Sequence, residues 1–215
     1  MDNKFILSHI DHTLLKAVAS WNEIRQLCDE AAEFRTASVC VPPCYIRRIR
    51  DVYPELVICT VIGFPLGYAP TAAKVAEAAA SVGDGADELD MVINITDVKN
   101  GDFHSLSGEI STLRKAAGSR ILKVIVETCY LTDDEKKALC RIVTEEGADY
   151  IKTSTGFGTG GAVMADIELF KANIGPGVKI KASGGIRTRE DMVAYIEAGC
   201  SRLGTSSAIS VLIKD

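Results

Sequence analysis

Five charged residues sit where a soluble protein rarely keeps charge. Lys123 interrupts Ile121-Leu122-Lys123-Val124-Ile125-Val126, Lys152 interrupts Tyr150-Ile151-Lys152-Thr153, and Lys181 interrupts Ile180-Lys181-Ala182. Asp90 stands in Glu88-Leu89-Asp90-Met91-Val92-Ile93, and Asp11 has a similar setting within His9–Thr13. Each charge alternates with apolar neighbours, so in a strand it faces one way and they face the other. Buried charges are costly unless paired, so five of them with one parity point to chemistry rather than stability. A lysine beside another cation has a particular use. A free lysine has a pKa of ~10.4, which leaves about one amine in 2,500 neutral at pH 7. A neighbouring ammonium and partial desolvation lower that value toward ~7–8, giving an amine that attacks a carbonyl to form a Schiff base. Lys152 and Lys181, on successive runs, supply this pairing, and Asp90 is a candidate proton carrier.

Other chemistries find less support. No Gly-x-Ser-x-Gly occurs, so the sequence offers no nucleophile elbow of the Ser-His-Asp kind. The histidines are His9, His12 and His104; the first two lie three apart without an obvious third partner for a metal site, and His12 reads as a hydrogen-bonded polar residue. The seven cysteines are odd in number and irregularly spaced, mostly inside apolar runs, as expected of reduced packing residues. No metal or cofactor is called for.

The elements that must carry these residues alternate. Strands are expected at His9–Thr13, Ala37–Val41, Val57–Ile62, Glu88–Ile93, Ile121–Val126, Tyr150–Thr153, Val178–Ser183 and Arg202–Thr205. Helical stretches lie between them. Ser20-Trp21-Asn22-Glu23 and Thr132-Asp133-Asp134-Glu135 read as capping boxes, with Thr188-Arg189-Glu190-Asp191 a third. Pro70 suits the first turn of a helix through Ala72–Ser81, and Gly83, Gly147 and Gly199 read as helix ends. About eight β-then-α units imply a parallel sheet covered by helices, either a closed barrel or an open doubly wound sheet. Two features favour the barrel. The Gly-x-Gly-x-x-Gly fingerprint of open sheets is missing, and the inward charges match the strand ends where barrels keep their sites. The expectation is one (β/α)8 TIM barrel spanning residues 1–215.

Small-residue turns follow the late strands: Thr153-Ser154-Thr155-Gly156-Phe157-Gly158, Ser183-Gly184-Gly185-Ile186 and Gly204-Thr205-Ser206-Ser207. In barrels such turns commonly cradle a phosphate through backbone N–H groups. Composition is that of an ordinary soluble protein: 215 residues, 47% hydrophobic, 25% charged, Lys+Arg 24 against Asp+Glu 29. The formal net charge of -5 argues against a nucleic-acid or membrane-surface partner, but not against a local anion cradle. No apolar signal core or membrane-length run appears, so the cytoplasm is expected. A homodimer is the default on general grounds.

Several motifs together resemble one family. They are Asp11-His12-Thr13-Leu14-Leu15-Lys16, Cys40-Val41-Pro42-Pro43, Val61-Ile62-Gly63-Phe64-Pro65-Leu66-Gly67, Glu88–Asn94, Lys123-Val124-Ile125-Val126-Glu127-Thr128, Ile151–Phe157 and Lys181-Ala182-Ser183-Gly184-Gly185-Ile186-Arg187. In this order, over almost the whole chain, they look like deoxyribose-phosphate aldolase. The resemblance implies a metal-free class I aldolase on a (β/α)8 barrel. Its reaction would be the reversible cleavage of 2-deoxy-D-ribose 5-phosphate to D-glyceraldehyde 3-phosphate and acetaldehyde. It implies Lys152 as the Schiff-base nucleophile, Lys181 as the neighbour that lowers its pKa, and Asp90 as proton exchanger. Asp11 and Lys123 would complete the polar network, and Cys40 matches the family's active-site thiol. Thr155, Gly156, Gly184, Gly185, Ser206 and Ser207 would bind the phosphorylated sugar. Some members carry a longer tail ending in Tyr that reaches the substrate; Leu212-Ile213-Lys214-Asp215 has no Tyr.

Three other readings share parts of this pattern. Another Schiff-base barrel lyase, of the transaldolase or fructose-phosphate aldolase type, would keep Lys152 and change the donor. A barrel isomerase or racemase would use the phosphate cradle without a covalent adduct. A phosphosugar-binding module would need the lysines only as charges.

Overall fold

The computed structural model describes residues 1–214; Asp215 lies outside the described residues. Eight parallel strands close into a barrel in sequence order: β1 (Ile10–Thr13), β2 (Ser38–Val41), β3 (Ile58–Ile62), β4 (Glu88–Val92), β5 (Ile121–Ile125), β6 (Tyr150–Lys152), β7 (Lys179–Ser183) and β8 (Arg202–Thr205). Closure is made by β1 pairing with β8, where Asp11 lies opposite Gly204. Each strand lies within one residue of the run that the Val/Ile pattern marks at either end. The helices are α1 (Asn3–Leu7), α2 (Trp21–Phe34), α3 (Ile46–Val52), α4 (Thr71–Asp84), α5 (Ile95–Lys99), α6 (Phe103–Ala117), α7 (Asp133–Glu145), α8 (Met164–Asn173) and α9 (Arg189–Ala198).

The helix starts follow from local chemistry. Ser20, Thr132 and Thr188 each accept a backbone N–H three residues on and receive a carboxylate in return, which closes all three expected capping boxes. Two expectations shift. Pro70 takes the cap position and Thr71 is the first helical residue. Gly83 lies inside α4, and Gly85, at φ 107°, forms the left-handed cap that ends it, because the chain continues in helical geometry through Asp84.

Alternation sorts the strand side chains into two environments. Val39, Val41, Ile58, Ile62, Leu89, Met91, Leu122, Val124, Ile151, Ile180 and Leu203 face outward and join one continuous core with Ile24, Leu27, Ile110, Leu139, Ile167 and Phe170 of the helices. The opposite parity fills the barrel. There, Cys40, Cys59 and Val61 form a small apolar cluster on the β2–β3 side, packed by Leu15 and Phe64. The remaining inner wall carries the charges.

Candidate active site

Register brings the charged residues together. Asp90 pairs with Lys123 across β4 and β5, and Lys152 pairs with Lys181 across β6 and β7. Lys181 in turn lies opposite Arg202 on β8. All five charges expected to face inward do so, and four of them, Asp11, Asp90, Lys123 and Lys181, are fully buried. One carboxylate ties the centre. Asp90 Oδ2 accepts from Lys152 Nζ at 2.7 Å and from Lys181 Nζ at 2.6 Å, while Asp90 Oδ1 accepts from Lys123 Nζ at 2.7 Å. Asp11 also accepts from Lys181, and Arg202 bridges Asp11 to Glu88. Gly204 leaves space for this packing: a Cβ there would stand 3.3 Å from Lys181 Cε and 3.0 Å from Ser183 Cβ.

The electrostatics follow from the pairing. Burial alone would raise the pKa of Asp90, but Lys123, Lys152 and Lys181 outweigh it and hold the carboxyl well below the ordinary range. Asp11 is lowered in the same way, mainly by Lys181 and Lys123 against its burial. Burial opposes the charged form of Lys181, yet Asp11 and Asp90 raise its pKa above the usual lysine value. Lys123 is raised likewise by Asp90, Cys59, Asp11 and Glu88. Three carboxylates, Asp11, Glu88 and Asp90, thus match three cations, Lys123, Lys181 and Arg202. Lys152 adds a further amine to the cluster and shares the carboxylate oxygen that Lys181 already holds.

Two groupings of side chains have metal-like spacing, Cys40 with Cys59 and Asp90, and Asp11 with Cys59 and Glu88. A cation already stands among them. Lys123 Nζ lies 3.2 Å from Cys59 Sγ, 2.6 Å from Glu88 Oε2, 2.7 Å from Asp90 Oδ1 and 3.7 Å from Asp11 Oδ2. Cys59, hydrogen-bonded to Cys40, lowers the Cys40 thiol pKa against the effect of burial.

Above this layer opens a cleft of about 480 Å³ at the C-terminal ends of β6, β7, β8 and β1. Lys152 lines it, with Thr155, Gly156, Gly184, Gly185, Ser206 and Ser207 from the late turns. Asp11, Cys40, Asp90, Lys123 and Lys181 do not line it; they lie beneath, reaching the cleft through Lys152. Gly156, Gly184 and Gly185 all have positive φ (86°, 80° and 79°), which the turn geometry requires. Two exposed cations, Lys16 and Arg187, also line the cleft. Sequence reasoning gave no role to Lys16, Arg187, Arg202, Cys59 or Glu127. For Arg202 the signal was present, since it shares the inward parity of Gly204 two residues on.

The chain matches the model of the DeoC/LacD family aldolase over residues 5–210. It belongs to that family. The chain is 58% identical over 213 residues to the deoxyribose-phosphate aldolase of Clostridium botulinum (strain Alaska E43 / Type E3), covering 99% of this chain and 96% of that one. It is 53% identical over 210 residues to the deoxyribose-phosphate aldolase of Clostridioides difficile (strain 630), covering 97% and 96%. Among solved structures, the tetrameric deoxyribose phosphate aldolase from Aeropyrum pernix superposes with a TM-score of 0.91 at 34% identity, over 98% of this chain and 91% of that one. The resemblance drawn from the motifs therefore holds, and this DeoC/LacD member is an aldolase, a carbon–carbon lyase.

Proposed function

We propose that the enzyme cleaves 2-deoxy-D-ribose 5-phosphate to D-glyceraldehyde 3-phosphate and acetaldehyde, reversibly, through a Schiff base on Lys152. The observation that carries this reading is the position of Lys152. It is the amine of the buried cluster that lines the cleft, and it shares Asp90 Oδ2 with Lys181. The relatives named for this activity support the substrate.

The steps follow from that geometry. Neutral Lys152 Nζ adds to the C1 carbonyl, and the carbinolamine hydroxyl takes a proton from Lys181 and leaves as water, so a protonated imine remains. Asp90 Oδ2, bonded to both amines, carries that proton from the charged Lys181 to the adduct on Lys152. The C3 hydroxyl then gives its proton, through Asp90 Oδ2, back to the Lys181 amine; the C2–C3 bond breaks and its electron pair moves into the C=N⁺ sink, and the same proton is available for C2. Glyceraldehyde 3-phosphate leaves and an enamine of acetaldehyde remains. Protonation at C2 and addition of water release acetaldehyde and restore the amine. Asp11, Lys123 and Arg202 act one layer below, keeping Asp90 ionised and Lys181 charged. Lys123 supplies the cation among the carboxylates, so this reading uses no metal and no cofactor. The phosphate sits against Gly156, Gly184, Gly185, Ser206 and Ser207, with Lys16 and Arg187 offsetting its charge.

Assay of acetaldehyde release from deoxyribose 5-phosphate by wild type and Lys152→Arg tests this. Guanidinium keeps the charge but cannot form the imine, so near-total loss is expected. Retention of most activity in Lys152→Arg overturns the covalent mechanism. A preference for a dihydroxyacetone donor over acetaldehyde in the synthetic direction overturns the substrate.

A further inference from the structure

Glu127 is an acid that the chemistry above does not use. It lies two residues past the end of β5, is 1% exposed, and takes φ 55°, a left-handed backbone conformation that is strained for a non-glycine residue. Arg35, which shares this conformation, is a helix cap, where it is ordinary. Glu127 instead opens the short turn Thr128–Tyr130 beside the cleft. Its carboxylate accepts the Thr155 backbone N–H at 3.2 and 3.3 Å and the Thr155 hydroxyl as well. The same hydroxyl oxygen accepts the Phe157 N–H at 3.0 Å. Gly158 lies so close over Glu127 that a Cβ there would come 3.1 Å from Glu127 Cδ. The loop after β6 is therefore draped over one buried carboxylate.

This arrangement redefines Thr155. A hydroxyl has one proton, and that of Thr155 goes to Glu127, so the residue lines the cleft without a donor left for a phosphate. Strain and a buried acid that does not itself line the cleft are what a fold retains to hold something else in place. Burial raises the pKa of Glu127 against the opposing bonds from Thr155 and the charge of Lys152, a further sign that its location is unfavourable on its own.

We propose that Glu127 is a positioning residue: through Thr155 it fixes the loop Thr155–Gly158 so that Gly156 meets the phosphate while Lys152, three residues before Thr155, meets C1. The proposal rests on the reading of the cleft as a phosphosugar site. A carboxylate suits the task because it accepts two donors at once, whereas an amide would turn an NH2 group toward one of them.

The test uses the full chain and four variants, Glu127→Ala, Glu127→Gln, Thr155→Val and Thr155→Ser. Borohydride trapping of acetaldehyde reads the amine, and the dissociation constant for inorganic phosphate together with KM reads the loop. Trapping is expected to stay near wild type in all four. Phosphate affinity and KM are expected to worsen about 10- to 100-fold in Glu127→Ala and Thr155→Val, less in Glu127→Gln, and to recover in Thr155→Ser. If Glu127→Ala fails to fold, Thr155→Val removes the same hydroxyl bonds at nearly constant volume and reads the same quantity. Unchanged phosphate binding and KM in Thr155→Val, or equal damage in Thr155→Ser, overturns the proposal. Absence of trapping in wild type overturns the Schiff-base reading instead, and leaves phosphate affinity to judge the loop.

Discussion

Asp90 Oδ2 accepts from two lysines at once, so its charge holds the centre of the barrel together. Replacing it by an amide leaves Lys123 with Glu88 and Lys181 with Asp11, but removes the one buried negative charge that Lys123, Lys152 and Lys181 share. Asp90→Asn is therefore expected to lower stability by about 3–5 kcal/mol in denaturant titration and to abolish acetaldehyde release. Asp11 offers a pH test. Its folded pKa is depressed, so its stabilisation is complete above the unfolded value of about 3.9 and is lost as pH falls through the folded value. Lys181, with a raised pKa, keeps its contribution below about 10.4 and loses it as pH rises through the folded value. The difference in Tm between wild type and Asp11→Asn should be level from about pH 5 to 9 and narrow below about 4. A difference that grows on acidification contradicts the pairing. Of these residues, Asp11, Asp90, Lys123, Lys152 and Lys181 were legible because a charge inside a Val/Ile run has a parity. Cys59 was not, because a thiol in an apolar run looks like packing. Its bond to Asp90 Oδ1 at 3.1 Å depends on β3 lying beside β4.

At the scale of elements, the barrel places its site by loop contacts rather than by strand length. A Cβ on Gly161 would stand 2.2 Å from the Gly184 carbonyl oxygen, and Ala162 N–H already bonds Ser183 and Gly184 carbonyls. The loop after β6 and the loop after β7 are thus pressed together beside the cleft. Gly161→Ala is expected to push them apart and raise KM about tenfold or more. Gly83→Ala is the contrast, since its Cβ meets nothing within 4 Å and it lies inside α4. That variant should keep its activity and gain up to about 1 kcal/mol in stability. Steady-state kinetics and thermal melts of the pair check both. Strands and capping boxes were readable because their signals are local and periodic. The end of α4 was misread because Gly83 and Gly85 are equally glycine, and only the chain path decides which one turns left-handed.

The whole molecule separates two jobs by layer. Its outer core is apolar and joins strands to helices, and its inner wall carries a nearly balanced set of charges under a cleft. Among the described residues, no helix is long and apolar enough to cross a membrane. The net charge of -5 hides a local excess of cations at the cleft, where Lys16 and Arg187 line the wall above Lys152. That excess could not be read from composition, because Lys16 and Arg187 lie in loops at opposite ends of the chain and only closure of β1 on β8 joins them. The left-handed Glu127 was equally hidden, since its partner Thr155 lies on the next loop and no sequence period links the two.

The central claim is that Lys152 is the amine that becomes covalent. Incubation with acetaldehyde and borohydride, followed by peptide mapping by mass spectrometry, reads this directly. One reduced adduct per chain on the peptide carrying Lys152, absent from Lys152→Arg, is the result expected. An adduct on Lys181 or Lys123 instead, or none at any lysine, would contradict it.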